Sequence, residues 1–316
     1  MEIRQVQEKD EKGIRELFYL CFGRQFTHSE WVWKYKGSPW GSTDVVTIID
    51  DDTIVAHYGG VKIIFHSPGH SFDVYQPCDV MTHPKYRARF FAKRGALVRA
   101  GELFYEVNSM DFAFGFPSER HAILGTKQLG YTEHSYITVL SKKVLSFIDI
   151  QNPLLKVEIG WDFITGVELD ALWDEVRDSY TLSIEKNSDY IFWRYRDNPV
   201  KQYEPLIVRA RYKKAIKAFA IFSFGKHDLI ILDFFCIRGI KIRFLFKLFE
   251  KIAIKHGLDN VKLWVNPNEN IFQSLVEYGY VPEKGIPYIF KIMNKEIDPL
   301  FLFEKYCYRM GDYDAS

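Results

Sequence analysis

The sequence predicts an α/β protein of two similar domains, each a mixed, mostly antiparallel sheet flanked by helices. First, β-prone segments and amphipathic helical segments alternate along the whole 316-residue chain. Second, motifs of the first half recur in the same order in the second half. Third, a chain of this length with 47% hydrophobic residues can build two cores.

Charge and cysteine usage narrow the classes of partner. Lysine plus arginine (42) nearly cancel aspartate plus glutamate (41), so the whole molecule should not attract nucleic acid or an anionic membrane. The four cysteines are far apart and form no C-x-x-C pair, which disfavours a metal site and a disulfide framework. The N-terminus carries no signal-peptide pattern and no stretch is long and apolar enough to span a membrane. We therefore expect a cytoplasmic protein without a membrane partner or a metal.

Periodicity assigns the elements of the first half. Strands are predicted at residues 2–6, 45–49, 54–65, 72–82, 112–116 and 131–140, and helices at 10–22, 29–36, from 90 onward and at 121–129. The resulting order is β-α-α-β-β-β-α-β-α-β. In the second half, strands at 206–209, 215–224 and 229–237 and a helix at 238–256 repeat the middle of this order.

A basic turn joins the strand at residues 72–82 to the helix that follows it. Residues 85–99 contain six cations and no acid, close to a helix start whose unpaired N–H groups attract anions, phosphate above all. The pattern predicts a local anion site.

Two motifs support an internal repeat. Trp-Lys-Tyr-Lys-x-x-Pro at residues 33–39 recurs as Trp-Arg-Tyr-Arg-x-x-Pro at 193–199. The turn that ends in Glu119 recurs in the turn that ends in Glu269. Because the aromatic and basic motif occupies the same place in both halves, a core role is favoured over a binding role.

Residues 79–92 carry a family resemblance. A strand, His-Pro-x-Tyr-Arg and a basic turn resemble the acetyl-coenzyme A loop of the GNAT N-acetyltransferases, whose pattern is Gln/Arg-x-x-Gly-x-Gly/Ala. Arg87 supplies the first position, Ala92 the last, and Phe90 stands at the central glycine. The element order is that of GNAT domains, and residues 310–314 resemble the Gly-Asp-x-Asp ending of some tandem GNAT proteins.

The resemblance implies acetyl-CoA, or another acyl-CoA, as co-substrate and transfer of its acyl group to a primary amine on a small molecule or sugar. In such a site the backbone of the strand residues would hold the pantetheine arm and polarise the thioester, and the turn residues would hold the diphosphate. The cofactor-binding residues implied are Val80, Met81, Thr82, Arg87, Ala88, Arg89, Phe90, Phe91 and Ala92.

A general base must take a proton from the amine, and the candidates are Asp79 and Glu119. Strand alternation places Asp79 on the same face as Met81, beside the thioester; the alternative is a strand-edge carboxylate bonded to its neighbours. For Glu119, its counterpart Glu269 in the second half favours a helix-capping role over catalysis. Many GNAT enzymes carry a tyrosine as general acid where this chain has Thr126, so water or a tyrosine such as Tyr86 or Tyr195 would replace it.

We therefore predict a GNAT-like domain with the acyl-CoA loop at residues 1–143 and a degenerate GNAT-like domain at 154–316. The expected acceptor is a small-molecule amine bound between the domains, and a homo-oligomer is compatible with the sequence. Two alternatives stay open. One is an aminoacyl-tRNA-dependent transferase of related fold, and the other is an inactive GNAT-like binding or scaffold protein.

Overall fold

A 13-stranded sheet runs through the whole protein. The computed structural model describes residues 1–87, 95–144, 152–212 and 215–314. The strands are β1 Glu2–Gln5, β2 Val46–Asp50, β3 Thr53–Ser67, β4 His70–Thr82, β5 Phe112–Gly115, β6 Ser135–Lys143, β7 Leu155–Ile159, β8 Ser183–Ile184, β9 Glu204–Ala210, β10 Ile216–Phe224, β11 Asp228–Cys236, β12 Asn260–Trp264 and β13 Val281–Ile292.

Helices cover the sheet. They are α1 Glu11–Phe22, α2 His28–Tyr35, α3 Ala96–Val107, α4 Glu119–Leu124, α5 Gly166–Val176, α6 Ser188–Ile191, α7 Ile242–Lys255, α8 Asn270–Glu277 and α9 Pro299–Lys305. The order predicted for the first half is confirmed, and the α/β class with it. Within the described ranges, no helix combines the length and the apolar character needed to cross a membrane.

The two halves exchange their last strands. The sheet order is β1-β2-β3-β4-β5-β13-β6-β12-β11-β10-β9-β7, with β8 beside β3. Strand β6 follows the first half in sequence but pairs with β12, and β13 closes the second half but pairs with β5. The two exchanged strands also pair with each other, antiparallel. The division at residues 143 and 154 stays a prediction, and the hydrogen-bonded sheet is continuous across it.

Local chemistry explains where the helices begin and end. Helix α1 buries Ile14, Leu17 and Phe18 and ends at Gly23, whose φ of 72° suits a residue without a side chain. Helix α2 is capped by Thr27, whose hydroxyl accepts the Glu30 N–H at 3.1 Å. Helix α3 begins at residue 96, after Gly95, and the predicted helix start at residue 90 lies outside the described residues.

Two tryptophans of the repeated motif pack the halves together. Trp33 and Trp193 stack with ring centroids 5.2 Å apart. Each indole N–H donates to the other residue's backbone carbonyl, at 2.7 and 2.9 Å. This reciprocal pairing satisfies both buried donors while it buries two large rings. The core interpretation of the motif therefore holds for its tryptophans.

Each half contains a gap where two parallel strands separate. Strands β4 and β5 pair only at Val74 with Phe112 and at Tyr75 with Ala113, after which β5 continues along β13. Strands β11 and β12 pair over three residues and then separate in the same way. The gap of the first half is open, whereas that of the second is filled by the chain's last residues.

The C-terminal segment, residues 306–314, fills the second gap. The Arg309 guanidinium lies 4.5 Å from the ring centroid of Phe234 on β11 and pairs with Glu269, beyond β12, at 2.7 Å. The Asn266 side-chain amide donates to the Tyr306 carbonyl at 3.0 Å. Contacts to both separated strands thus hold the segment, and it continues into the first half.

Candidate functional site

The open gap between β4 and β5 leads into a cavity of about 710 Å³. Its walls come from residues 77–82 of β4, from α1, α3 and α4, and from Tyr313 and Asp314 of the C-terminal segment. Pockets of this size bind small molecules and cofactors. The cavity therefore combines a free strand edge of the first half with residues from the end of the chain.

A β-bulge at Asp79 shapes the cavity. The pairing of β3 with β4 shifts between His57 and Gly59, and Asp79 has a φ of 50°, a left-handed conformation that aspartate tolerates better than most residues. Gly59 permits the close approach, because a Cβ there would lie 2.9 Å from the Cys78 carbonyl oxygen. The bulge therefore interrupts the strand alternation that was expected to place Asp79 on the same face as Met81. Instead, Cys78 and Met81 pack in the same core cluster.

Asp79 lines the cavity but is engaged by α2. The Tyr35 hydroxyl donates to its carboxylate at 2.6 Å, and the Lys34 ammonium lies at 2.9 Å. Burial would raise the pKa of Asp79, but the charge of Lys34 and the hydrogen bond of Tyr35 outweigh it and lower the pKa. A carboxylate held ionised in this way is a poor proton acceptor, and its role is to anchor Lys34. Our sequence interpretation of Lys34 and Tyr35 as core residues missed this contact.

Asp314 is a second carboxylate on the same wall. It lies 3.8 Å from the Lys34 ammonium. Burial raises the pKa of Asp314, the charge of Lys34 opposes the rise, and the negative charge of Asp79 adds to it. Two carboxylates that share one ammonium thus differ in basicity, and Asp314 is better matched to take a proton. Sequence reasoning did not propose Asp314; the resemblance of residues 310–314 to a tandem GNAT ending was the available signal.

Glu119, the other predicted base, lies outside the cavity lining among the described residues. It is the exposed first residue of α4, and its carboxylate accepts the Tyr136 hydroxyl at 3.3 Å. Its position in the first turn of a helix favours interaction with the helix N-terminus.

The predicted cofactor-binding residues fall into two groups. Val80, Met81, Thr82 and Arg87 all line the cavity. The Thr82 hydroxyl is buried without a hydrogen-bond partner in the described part of the chain, and the Arg87 guanidinium donates to the Thr82 carbonyl at 3.4 Å. A buried hydroxyl without a partner beside a free strand edge fits an amide-bearing arm. Ala88, Arg89, Phe90, Phe91 and Ala92 lie outside the described residues.

Neither Thr126, at the position of the family's tyrosine, nor the two tyrosines considered as its replacement line the cavity. The Thr126 hydroxyl lies within hydrogen-bond distance of the carbonyls of Ala122 and Thr132, at 3.0 and 2.9 Å. Tyr86 donates to Asp50, and Tyr195 is buried in the second half; neither lines the cavity.

Two other tyrosines line the cavity wall. The hydroxyl of Tyr58 lies 3.0 Å from that of Tyr105 and 3.4 Å from that of Tyr131, and the last two hydroxyls also contact each other. Burial raises the pKa of Tyr58 and Tyr131, so both phenols keep their protons at neutral pH. They can serve as proton donors to a bound ligand.

Three groups of the kind that bind metal ions meet at the carboxylate pair. The Cys78 thiol and the carboxylates of Asp79 and Asp314 offer ligand atoms within 4.8 Å of one another. Lys34 already supplies positive charge there, and burial raises the pKa of the Cys78 thiol, which disfavours the thiolate form that binds metals. The arrangement therefore favours an amine site over a metal site.

The comparisons with known proteins agree with this geometry. Residues 2–132 match the family model described as Acetyltransferase (GNAT) domain. A search of curated protein sequences finds no match. Similarity to solved structures, in contrast, extends over nearly the whole chain.

Three solved structures illustrate the similarity. A probable N-acyltransferase from Enterococcus faecalis V583 superposes with a TM-score of 0.72 and 10% identity, over 93% of this chain and 72% of that one. A tandem GNAT protein from the clavulanic acid biosynthesis pathway gives 0.56 and 12%, over 92% and 97%. Saccharomyces cerevisiae N-myristoyltransferase with bound myristoyl-CoA gives 0.57 and 11%, over 94% and 83%.

These findings place a GNAT domain in the first half and define the fold of the whole chain. Residues 2–132 match the GNAT domain model, and over nearly the whole chain the fold is similar to that of a tandem GNAT protein. At these identities the structural similarity is one of fold, and the fold is that of N-acyltransferases.

Proposed function

We propose that this protein is an N-acyltransferase that uses acetyl-CoA to acetylate a primary amine on a small molecule or sugar. The observation that carries the proposal is the open gap between β4 and β5, where a bulge at Asp79 and the free edge of residues 80–82 face a cavity. In this proposal residues 1–143 form the acyl-CoA-binding domain and residues 154–316 the degenerate one.

Acyl transfer would need no enzyme nucleophile. Asp314 takes a proton from the ammonium, and the free amine nitrogen attacks the thioester carbonyl carbon while backbone dipoles of Val80 and Met81 stabilise the developing oxyanion. The carbon–sulfur bond then breaks, and the CoA thiolate takes a proton from the Tyr58 phenol. The adduct nitrogen gives up its second proton, which restores that phenol. The products are an amide and free CoA.

The co-substrate would extend along β4 towards the basic turn. Its pantetheine arm lies along Val80, Met81 and Thr82, where the unpartnered Thr82 hydroxyl supplies a hydrogen bond. Its diphosphate lies at Arg87, continuing to residues 88–92 in the predicted loop. The acceptor amine reaches the thioester from the side of Asp314.

Calorimetric titration with acetyl-CoA and with longer acyl-CoAs tests this proposal. We expect binding in the micromolar to millimolar range that is typical of enzyme substrates. Replacing Thr82 with valine keeps the side-chain shape and should weaken binding about threefold to tenfold, the effect of one hydrogen bond. Thr53→Val, at the exposed start of β3, is the matched control and should bind normally.

Two results would contradict the proposal. Absence of heat with every acyl-CoA, in a folded protein, would favour the binding or scaffold alternative. Salt-sensitive retention of charged tRNA in a gel shift, without acyl-CoA binding, would favour the tRNA-dependent alternative.

A further inference from the structure

Aromatic side chains surround the carboxylate end of the cavity. Phe18 and Phe22 of α1 pack with ring centroids 4.6 Å apart, and Phe116, just after β5, lies 5.9 Å from Tyr313. All four rings belong to the cavity wall. Phe22 is 54% exposed, so its ring reaches the cavity mouth. An acceptor bound in this cavity can therefore contact aromatic rings on the wall that carries Asp314.

The charges at this end disfavour an acceptor with several ammonium groups. Asp79 and Asp314 are the acidic residues among the described lining residues, and Lys34 lies between them, closer to Asp79. Arg24 pairs with Glu30 at 2.7 Å, and the charge of Arg194 also acts on Asp314. Lys34 and Arg194 thus already balance the two carboxylates, so each further positive charge on the acceptor adds repulsion.

We propose that the acceptor is a monoamine whose ammonium is attached to an apolar, aromatic body, a class for which 2-phenylethylamine is a simple probe. This inference rests on the proposed function and narrows its substrate. The ammonium lies at Asp314 and can also interact with the ring faces, while the body packs against Phe22 and Phe116. Polyamines and aminoglycosides would leave extra ammonium or hydroxyl groups against aromatic walls, where their lost hydrogen bonds carry a cost.

The same rings could in principle enclose a long acyl chain. The amine fits better, because methylenes packed at this end would remove water from Asp79 and Lys34 without replacing its hydrogen bonds. The experiment therefore varies acceptor and acyl donor separately.

Steady-state kinetics with saturating acetyl-CoA compare 2-phenylethylamine, glucosamine, spermidine and methylamine. We expect kcat/KM for 2-phenylethylamine to exceed that for glucosamine and spermidine by at least about tenfold. Phe22→Ala should raise KM for 2-phenylethylamine about threefold to tenfold with little change in kcat, and should leave methylamine unaffected. Phe163→Ala removes a ring that is 46% exposed in the second half and should change nothing.

The outcomes separate the two proposals. A preference for glucosamine or spermidine overturns the aromatic-monoamine inference and leaves the acyltransferase proposal standing. The inference is also overturned if Phe22→Ala raises KM for longer acyl-CoAs and not for the amine. If acetyl-CoA binds but none of the amines is acetylated, the inference fails while the cofactor site stands; if acetyl-CoA does not bind, the proposed function itself fails.

Discussion

The two halves contain the same ionic cluster in opposite settings. In the first half Lys34 and Tyr35 contact Asp79, and in the second half Lys186 and Tyr195 contact Asp233. The side chain of Asp79 is 9% exposed beside an open cavity, whereas Asp233 is 0% exposed. The chemistry is alike, and what differs is whether the gap next to the cluster is empty or filled. The comparison shows that access, more than residue type, separates a candidate active site from a structural cluster.

The C-terminal segment produces this difference. It fills the gap of the second half, and its end reaches the cavity of the first. Arg194 donates to the carbonyls of Gly311 and Tyr313, at 2.9 and 2.5 Å, and the Gln76 amide donates to the Asp312 carbonyl at 2.7 Å. Groups from both halves therefore hold the backbone just before Asp314.

The largest expected effect is on catalysis at Asp314. Asp314→Asn removes the proposed base and should lower kcat by about 10²- to 10⁴-fold, with acetyl-CoA binding and melting temperature nearly unchanged. Glu119→Gln is the control, because Glu119 lies outside the cavity lining, and we expect its kcat to stay within about twofold of the parent. Comparable losses in both variants would remove Asp314 from the role of base.

The pH profile provides a second measurement on the same pair of variants. A base acts when deprotonated, so kcat should rise as pH increases through the pKa of Asp314, which burial raises and Lys34 opposes. The neighbouring charges that set this pKa are Lys34, Asp79 and Arg194. The acidic limb should vanish in Asp314→Asn and persist in Glu119→Gln.

The next effect concerns stability and contrasts the two clusters directly. Asp233→Asn leaves the buried Lys186 ammonium with Asp312, at 3.6 Å, as its remaining carboxylate partner among the described residues, and should lower the free energy of unfolding by about 3–5 kcal/mol. Asp79→Asn leaves the Lys34 ammonium close to Asp314 and beside an open cavity. It should therefore lower the free energy of unfolding by only about 1–2 kcal/mol. Urea denaturation measures both. If the two variants lose equal free energy of unfolding, the open cavity does not reduce the cost of leaving Lys34 without Asp79.

The smallest expected effect is on the affinity for acetyl-CoA, and it distinguishes the two basic turns. Arg87→Glu should weaken acetyl-CoA binding about tenfold, because it reverses a charge at the proposed diphosphate site. Lys241→Glu makes the same change at the start of α7 in the second half, whose gap is filled, and should leave the affinity unchanged. Calorimetry on the two variants, with melting temperatures as a folding control, decides whether only the first turn serves the ligand.

Local patterns predicted much of the fold and part of the site. Hydrophobic periodicity and turn residues yielded the element order, and the basic turn pointed to β4, whose residues 77–82 line the cavity. The exchange of β6 and β13 was not predictable in the same way, because strand pairing between distant segments leaves no local signal. Asp79 was found from sequence, but the bulge that presents it to Lys34 and Tyr35 was not. Asp314 was not predicted as a site residue, because it reaches the cavity of the first half only when the C-terminal segment packs into the gap of the second half.

The exchanged strands restrict how ligands can enter. Many two-domain enzymes open and close by rotating one domain against the other about a hinge. Here a rotation of that kind would have to break the ladders that join β5 to β13 and β6 to β12. In the proposed enzyme, ligands would therefore enter the cavity while the halves stay fixed, and acceptor binding would depend on side chains such as Phe22 of α1 at its mouth.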